Sequence, residues 1–453
     1  MGWIVLIADP LVNNLWVLLA GLLVFTMTIA VGLLEVGELG EDLYYSLLKT
    51  VFMTGSAVVV MGLVGFNTAF APTWNGIIGN PTYAPGLVLG GFSSSSVLPA
   101  QDVWWSMQAA YFGTGLTTGT YFLFETAFAA VTFALVGVVF LHKVKSLALA
   151  VYSIVYFSLI WNLPAAWIWN PTGWLAKMGM VDFAGGLVVH GAAGAAGLGV
   201  LVQVWREERA RGHSSSPQVP IRISPGWLTL AILLLWVGWF GFNPGSVLQF
   251  NDEAIVVVLT TFVAASSCMV STLAFRNIGG LGSPRLLDAV NGILMGLIII
   301  TPLAGFVSPA SAFILGAAAG PLFLIGERWF GRFKWFSDPV GLLPGHLLGG
   351  LFGVSMIAFF AQSSFATGSG YPHLPSGLFF GGGTNALHQL GIESFGILVV
   401  MITVFVLSFV TMAILSKAMG GISHRLPRSE AAGSESPYLS APDDPHSSGS
   451  VDG

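Results

Sequence analysis

Two stretches decide how this chain is read. The first is Asp182-Phe-Ala-Gly185-Gly-Leu-Val-Val-His190-Gly-Ala-Ala-Gly194-Ala-Ala-Gly197, and the second is Asp338-Pro-Val-Gly341-Leu-Leu-Pro-Gly-His346-Leu-Leu-Gly-Gly350-Leu-Phe-Gly353. Both fit D-x2-G-x4-H-x3-G-x2-G. Each is apolar apart from one acid at its start and one histidine near its middle. The small residues give each segment a thin face, which lets a helix cross closely against a partner.

The surrounding composition says what solvent these segments meet. Only 8% of the 453 residues are charged and 55% are hydrophobic, with a mean hydropathy of +0.81. A water-soluble domain carries about 25% charged residues, so lipid must cover most of this surface. In lipid, only helices and closed barrels satisfy their own backbone. Runs such as 53–65, 127–141 and 396–415 lack the alternation of a barrel strand, so the expectation is an all-α membrane protein.

A span needs about 20 apolar residues. Eleven are expected, over 12–34, 46–70, 114–140, 147–169, 182–204, 226–249, 254–275, 286–304, 308–327, 340–362 and 388–416. Fifteen of the sixteen Lys and Arg residues lie beside loops that join an odd span to an even one, or beside the C-terminus. Only Lys177 falls on the other side. Short basic loops stay in the cytoplasm, so the N-terminus is expected outside and the C-terminus inside. The N-terminus lacks the basic region of a cleaved signal peptide and is read as mature sequence. Residues 1–420 form the transmembrane domain in this reading. Residues 421–453 form a cytoplasmic tail of Ser, Pro, Gly and acid, expected to be largely disordered.

The two copies of the motif fall in spans five and ten, which run in opposite directions. The chain therefore reads as an inverted five-helix repeat plus one helix, with the functional site at the repeat interface near mid-membrane. Each histidine lies eight residues past its aspartate, about 12 Å along a helix. Two antiparallel copies can then bring His190 and His346 into hydrogen-bond reach, both neutral at rest because a buried imidazolium is costly. A lone histidine in a membrane helix often does no more than hydrogen-bond a neighbouring helix. Two at equivalent positions, each with an acid two turns back, point instead to a solute pathway. Asp182 and Asp338 also suit a structural role, capping orphan N–H groups at a helix start.

These residues resemble the Amt type of the ammonium transporter (Amt/Rh) family. The resemblance is carried by Asp182 through His190, by Trp239-Phe-Gly-Phe242-Asn-Pro-Gly-Ser246, by Trp169 with Gly173-Trp174-Leu, and by Phe124-x3-Phe128. It covers residues 103–416 in order. It implies a homotrimer of independent pores in the plasma membrane. It implies an outer recruitment site for ammonium from Trp169, Ser246 and Phe124, a phenyl gate from Phe128 and Phe242, and a narrow apolar pore with His190 and His346 paired.

Elementary chemistry fits each role. A Trp face attracts a cation, and a serine hydroxyl accepts a hydrogen bond from ammonium. Phe124 and Phe128, four apart, share a helix face. A bare cation meets a steep desolvation cost in such a pore, so neutral ammonia crosses it. The proton then travels separately, and potassium, which has no proton to give up, is refused. Most of the 15 Trp and 33 Phe residues must be lipid-interface belt or core, and Trp239 is assigned to packing.

The sequence departs from the family in places. Glu35, Glu38, Glu41 and Asp42 cluster after the first span, in a loop that is usually basic. Glu125 stands where glutamine is common and is either a cation attractor or a paired structural group. The tail lacks the basic–acidic pattern through which bacterial members bind PII-type signalling proteins, which leaves that partner unsupported. Two other functions stay open: an Rh-like neutral ammonia channel and an ammonium sensor. No enzyme is expected, since neither a nucleophile–base pair nor a metal cluster stands out. The single Cys268 forbids an intrachain disulfide and a Cys-based metal site. No cofactor, metal ion or nucleic acid is expected.

Overall fold

The computed structural model describes residues 10–40, 43–83, 114–140, 143–212, 222–336, 338 and 340–423, with the side chains of 43–47 left aside. Glu41, Asp42 and residues 424–453 of the expected tail lie outside these described residues.

Among the described residues, ten helices are long and apolar enough to cross a membrane. They are α1 (Pro10–Leu39), α2 (Leu48–Phe70), α3 (Thr118–Gly137), α4 (Ser146–Ile168), α5 (Gly186–Ala210), α6 (Pro225–Gly245), α7 (Asp252–Ile278), α9 (Pro309–Phe330), α10 (Leu342–Phe360) and α11 (Gly383–Met419). Between α7 and α9 lies the shorter apolar helix α8 (Leu286–Ile300). Each expected span thus has one helix. The short α8 is buried continuously from Gly292 to Ile300, so protein rather than lipid surrounds most of it.

Local chemistry sets the helix starts. The Thr117 side chain accepts the Thr120 N–H at the head of α3. Asn251 accepts the Ala254 N–H at the head of α7, and Ser308 with Pro309 opens α9. Among the described residues the expected all-α fold holds apart from one small hairpin, in which Thr73–Trp74 pairs with Ile78–Gly79, and an isolated bridge between Val144 and Ser423. The hairpin turn uses Asn75 and Gly76, both at positive φ.

Packing is close where glycine permits it. A Cβ at Gly350 of α10 would stand 2.3 Å from the Gly186 carbonyl oxygen of α5. A Cβ at Gly194 would stand 2.6 Å from the Leu347 Cβ. The glycines of the repeated motif are therefore what lets α5 and α10 cross. On the long α11 one stripe is buried, running through Gln389, Glu393, Gly396, Val400, Val404, Ser408 and Met412. Its other faces expose Leu398, Ile402, Val406 and Val410, apolar surface suited to lipid.

Ion pairs and carboxylate caps fix the helix ends. Arg276 of α7 bonds Asp288 of α8 at 2.5 Å and Glu327 of α9 at 2.8 Å. The Glu207 carboxylate accepts N–H groups from Ile422 and Ser423. The first residues of the expected tail, Ile422 and Ser423, are thus buried and docked, an order that the polar composition farther on did not announce.

Candidate functional site

The site begins with what the repeated motif does to the backbone. The Asp182 carboxylate accepts the N–H groups of Gly185, Gly186, Leu187 and Val188 at 2.7–3.0 Å. The Asp338 carboxylate accepts those of Leu342 and Leu343 at 2.9 and 2.8 Å. Each carboxylate thereby satisfies orphan donors at a helix start. Gly185 (φ 108°) and Gly341 (φ 74°) turn the chain into each helix in the left-handed region, where a side chain is strained.

The first turn of both helices is then a wide π-turn, over Gly186–Gly191 and Leu342–Leu347. The Ala192 N–H reaches back five residues to Leu187, and the Leu348 N–H reaches back five to Leu343. Each histidine sits inside its π-turn, a feature frequent at functional sites.

The two rings meet. His190 Nδ1 and His346 Nδ1 are 3.1 Å apart, with centroids at 5.1 Å and planes inclined by 45°. Two protonated Nδ1 atoms cannot face one another at that distance. One must carry the hydrogen and donate it, and the other must present its lone pair. His190 is fully buried, and among the described residues its Nε2 has no hydrogen-bond partner.

An aromatic column rises from this pair. Phe242 lies almost parallel to His190 at 5.9 Å. Phe128 packs on Phe242 at 4.3 Å, Phe124 on Phe128 at 4.8 Å, and Trp169 meets Phe128 edge-on at 5.7 Å. The Trp169 indole N–H donates to the Asp182 carbonyl at 2.7 Å, which fixes its ring beside the start of the His190 helix. One turn past Phe242, the Ser246 hydroxyl donates to the Phe242 carbonyl at 2.9 Å. Its oxygen keeps lone pairs for an incoming N–H donor. Phe128 and Phe242 are both buried, so their closely packed, tilted rings lie between the Trp169 end and the histidines.

On the other side of the gate, two small cavities flank His346. Val31 and Leu294 line both. The first also touches Trp239, Phe242 and His190, and the second reaches Val138 and Leu342. They leave about 10 and 20 Å³ open to the centre of a water-sized molecule, room for a very small solute.

All the expected residues except Ser246 meet in one chain of ring or backbone contacts, and Ser246 joins it through the Phe242 carbonyl. Trp239 belongs there too. The sequence reading assigns it to packing, yet it stacks on His190 at 5.7 Å and 20°, while its indole N–H reaches the Thr301 hydroxyl at 3.1 Å. Its place three residues before Phe242 on one helix face was the available signal. Glu125 is buried beside this column. Tyr121 hydrogen-bonds it, and its Oε2 has no hydrogen-bond partner.

Comparison with known proteins agrees on one family. The model of the Ammonium Transporter Family matches residues 15–434, so the likeness includes the first two spans. An ammonium transporter of Bacillus subtilis (strain 168) is 28% identical over 408 residues, covering 89% of this chain and 92% of that protein. One from Aquifex aeolicus (strain VF5) is 30% identical over 419 residues, covering 90% and 88%. Among solved structures, a "Sensor Amt Protein" superposes with a TM-score of 0.75 at 25% identity, covering 92% of this chain and 95% of that one. Mep2 of Saccharomyces cerevisiae superposes with the same TM-score at 23% identity, covering 90% and 88%.

Proposed function

Because this chain belongs to the ammonium transporter family, and is a multi-pass membrane protein that transports ammonium, we propose a mechanism in which the ion is split before it crosses. Ammonium is recruited outside by the Trp169 ring face, the Ser246 hydroxyl and Phe124. It gives up its proton on passing the Phe128–Phe242 gate. Ammonia then moves along the His190–His346 pair, hydrogen-bonding to ring nitrogens that carry no fixed charge. The proton is carried separately from the ammonia, relayed by the ring nitrogens of the same pair, and the cycle is electrogenic.

The observation that carries this reading is the Nδ1–Nδ1 contact of 3.1 Å directly behind two closely packed phenyl rings. The gate strips water from whatever passes. The pair beyond it offers one N–H and one lone pair but no countercharge. A potassium ion meets the same desolvation cost with no proton to release, so it is refused.

The arrangement in the membrane is part of the same proposal. The N-terminus lies outside and the C-terminus inside, and the transport domain of 1–420 is an inverted five-helix repeat plus α11. Residues 421–453 form the cytoplasmic tail, and three copies make a homotrimer. The shared capping and π-turn geometry of Asp182–His190 and Asp338–His346 supports the repeat.

Current recorded from reconstituted protein under an ammonium gradient tests the mechanism. Inward current that saturates with ammonium and is absent with potassium is the expected result. Ammonia flux without current would place the protein with neutral gas channels. Ammonium binding without flux would place it with sensors, the role for which one structural relative is named.

A further inference from the structure

Three of the segments that line the cavity beyond His346 run on to charged side chains, while Leu294 of α8 and Phe323 of α9 complete its wall. On α1 the lining residues are Met27, Val31 and Leu34, spaced four and three apart. The next position on that stripe is Glu38, one turn farther along, with Glu35 beside it. Just past the end of α3 the lining reaches Val138, and Lys143 follows, only 2% exposed. On α10 the lining begins at Val340, Gly341 and Leu342, just after Asp338. Three different elements thus deliver Glu35, Glu38, Lys143 and Asp338 to one end of the pathway.

The charges do not pair off evenly. Lys143 is within electrostatic range of Asp338 and Glu35. Asp338 also holds the N–H groups of Leu342 and Leu343. Glu38 has no such partner. It is 1% exposed, and among the described residues neither of its carboxyl oxygens has a hydrogen-bond partner and the charges that act on it are those of Asp338 and Glu35, both of its own sign. The nearby Arg222 gives Glu38 only its backbone N–H, donated to the Glu38 carbonyl at 2.8 Å. Among the described residues its exposed side chain forms no ion pair with Glu38. A buried carboxyl in this position needs a proton or a cation.

Resting on the ammonium-transport reading, we propose that Glu38, with Glu35 and Asp338 behind it, forms an ammonium site at the inner mouth of the pathway. Ammonia that has passed His346 and become ammonium again in the inner water is held there before release, and ammonium loaded from inside is held there before efflux. The ion supplies N–H donors to the Glu38 oxygens that have no hydrogen-bond partner. Apolar walls between His346 and Glu38 keep this cation site apart from the histidines. The pathway then has a cation site at each end, built from an indole face and a hydroxyl outside and from carboxylates inside.

Two measurements on the full chain test this. In the unaltered protein, dicyclohexylcarbodiimide labelling of Glu38, read by mass spectrometry, should be suppressed by ammonium at concentrations where potassium gives no protection. Labelling unaffected by ammonium, or suppressed equally by potassium, would overturn the site. In vesicles of uniform orientation, Glu38→Gln should raise the half-saturating ammonium for efflux about tenfold, the scale of one hydrogen bond to a charged group, and by more than it alters influx. Glu38→Asp keeps the carboxylate and should stay near wild type. An efflux constant unchanged in Glu38→Gln would also overturn the site. Absence of any ammonium flux in the wild type is a different outcome, because it removes the transport reading itself.

Discussion

His190 and His346 are 156 residues apart in sequence, yet their Nδ1 atoms stand 3.1 Å apart. Each ring is delivered by the same device: a carboxylate cap, a left-handed glycine and a π-turn that shifts the histidine around its helix axis. The pairing is therefore a property of two helix starts as much as of two side chains.

The cap is accordingly expected to matter for stability. Asp182→Asn keeps one carbonyl acceptor and turns an amide N–H₂ toward backbone donors, losing two of four N–H contacts. Each lost hydrogen bond to a charged group costs about 1.5–3 kcal/mol. Asp338→Asn removes fewer, since its carboxylate accepts two. Thermal unfolding in detergent should show a larger fall in midpoint for Asp182→Asn than for Asp338→Asn. The reverse order would mean that the caps are not what hold these helix starts.

At the entrance, Trp169→Leu removes the face offered to the cation. A cation–π contact is worth about 0.5–2 kcal/mol, so the half-saturating ammonium for uptake should rise roughly two- to thirtyfold. Uptake at low ammonium identical to wild type would remove Trp169 from the recruitment site.

Glu125 separates potential from structure. Its Oε2 has no bond to lose, and glutamine can still accept from Tyr121. Glu125→Gln should therefore keep its melting temperature while uptake at low ammonium falls, because a carboxyl able to take on negative charge as a cation approaches is gone. A lowered melting temperature with normal uptake would make Glu125 a structural group instead.

Much of this was legible in the residues. Scarce charge and long apolar runs forced helices in lipid, and the repeat of Asp, Gly and His at fixed spacing marked both histidines. Phe124 with Phe128 was visible as an i,i+4 pair, and Phe242 and Ser246 stood in the Trp239–Ser246 run that carries the family resemblance. What the sequence did not announce depends on geometry between elements. The π-turns follow directly on the helix starts that Asp182 and Asp338 cap, and no residue pattern encodes that winding. Trp239 looked like one more core aromatic until its ring was set parallel to His190. The stripe Met27, Val31, Leu34 on α1 is apolar on a helix that is apolar nearly all round, so nothing in its pattern separated the pore face from the lipid face. Glu38 stood out as an acid in an unusual place, but its position past the cavity required α3 and α10 to be set beside it.

The pairing of the histidines is the central claim, and the ammonium-driven current of the His190→Ala, His346→Ala double variant tests it most directly. The protein should be reconstituted beside wild type and challenged with ammonium and then with potassium. The account predicts that the ammonium current disappears, because no ring nitrogen remains to pass the proton. Full ammonium current with full selectivity over potassium in the double variant would contradict it.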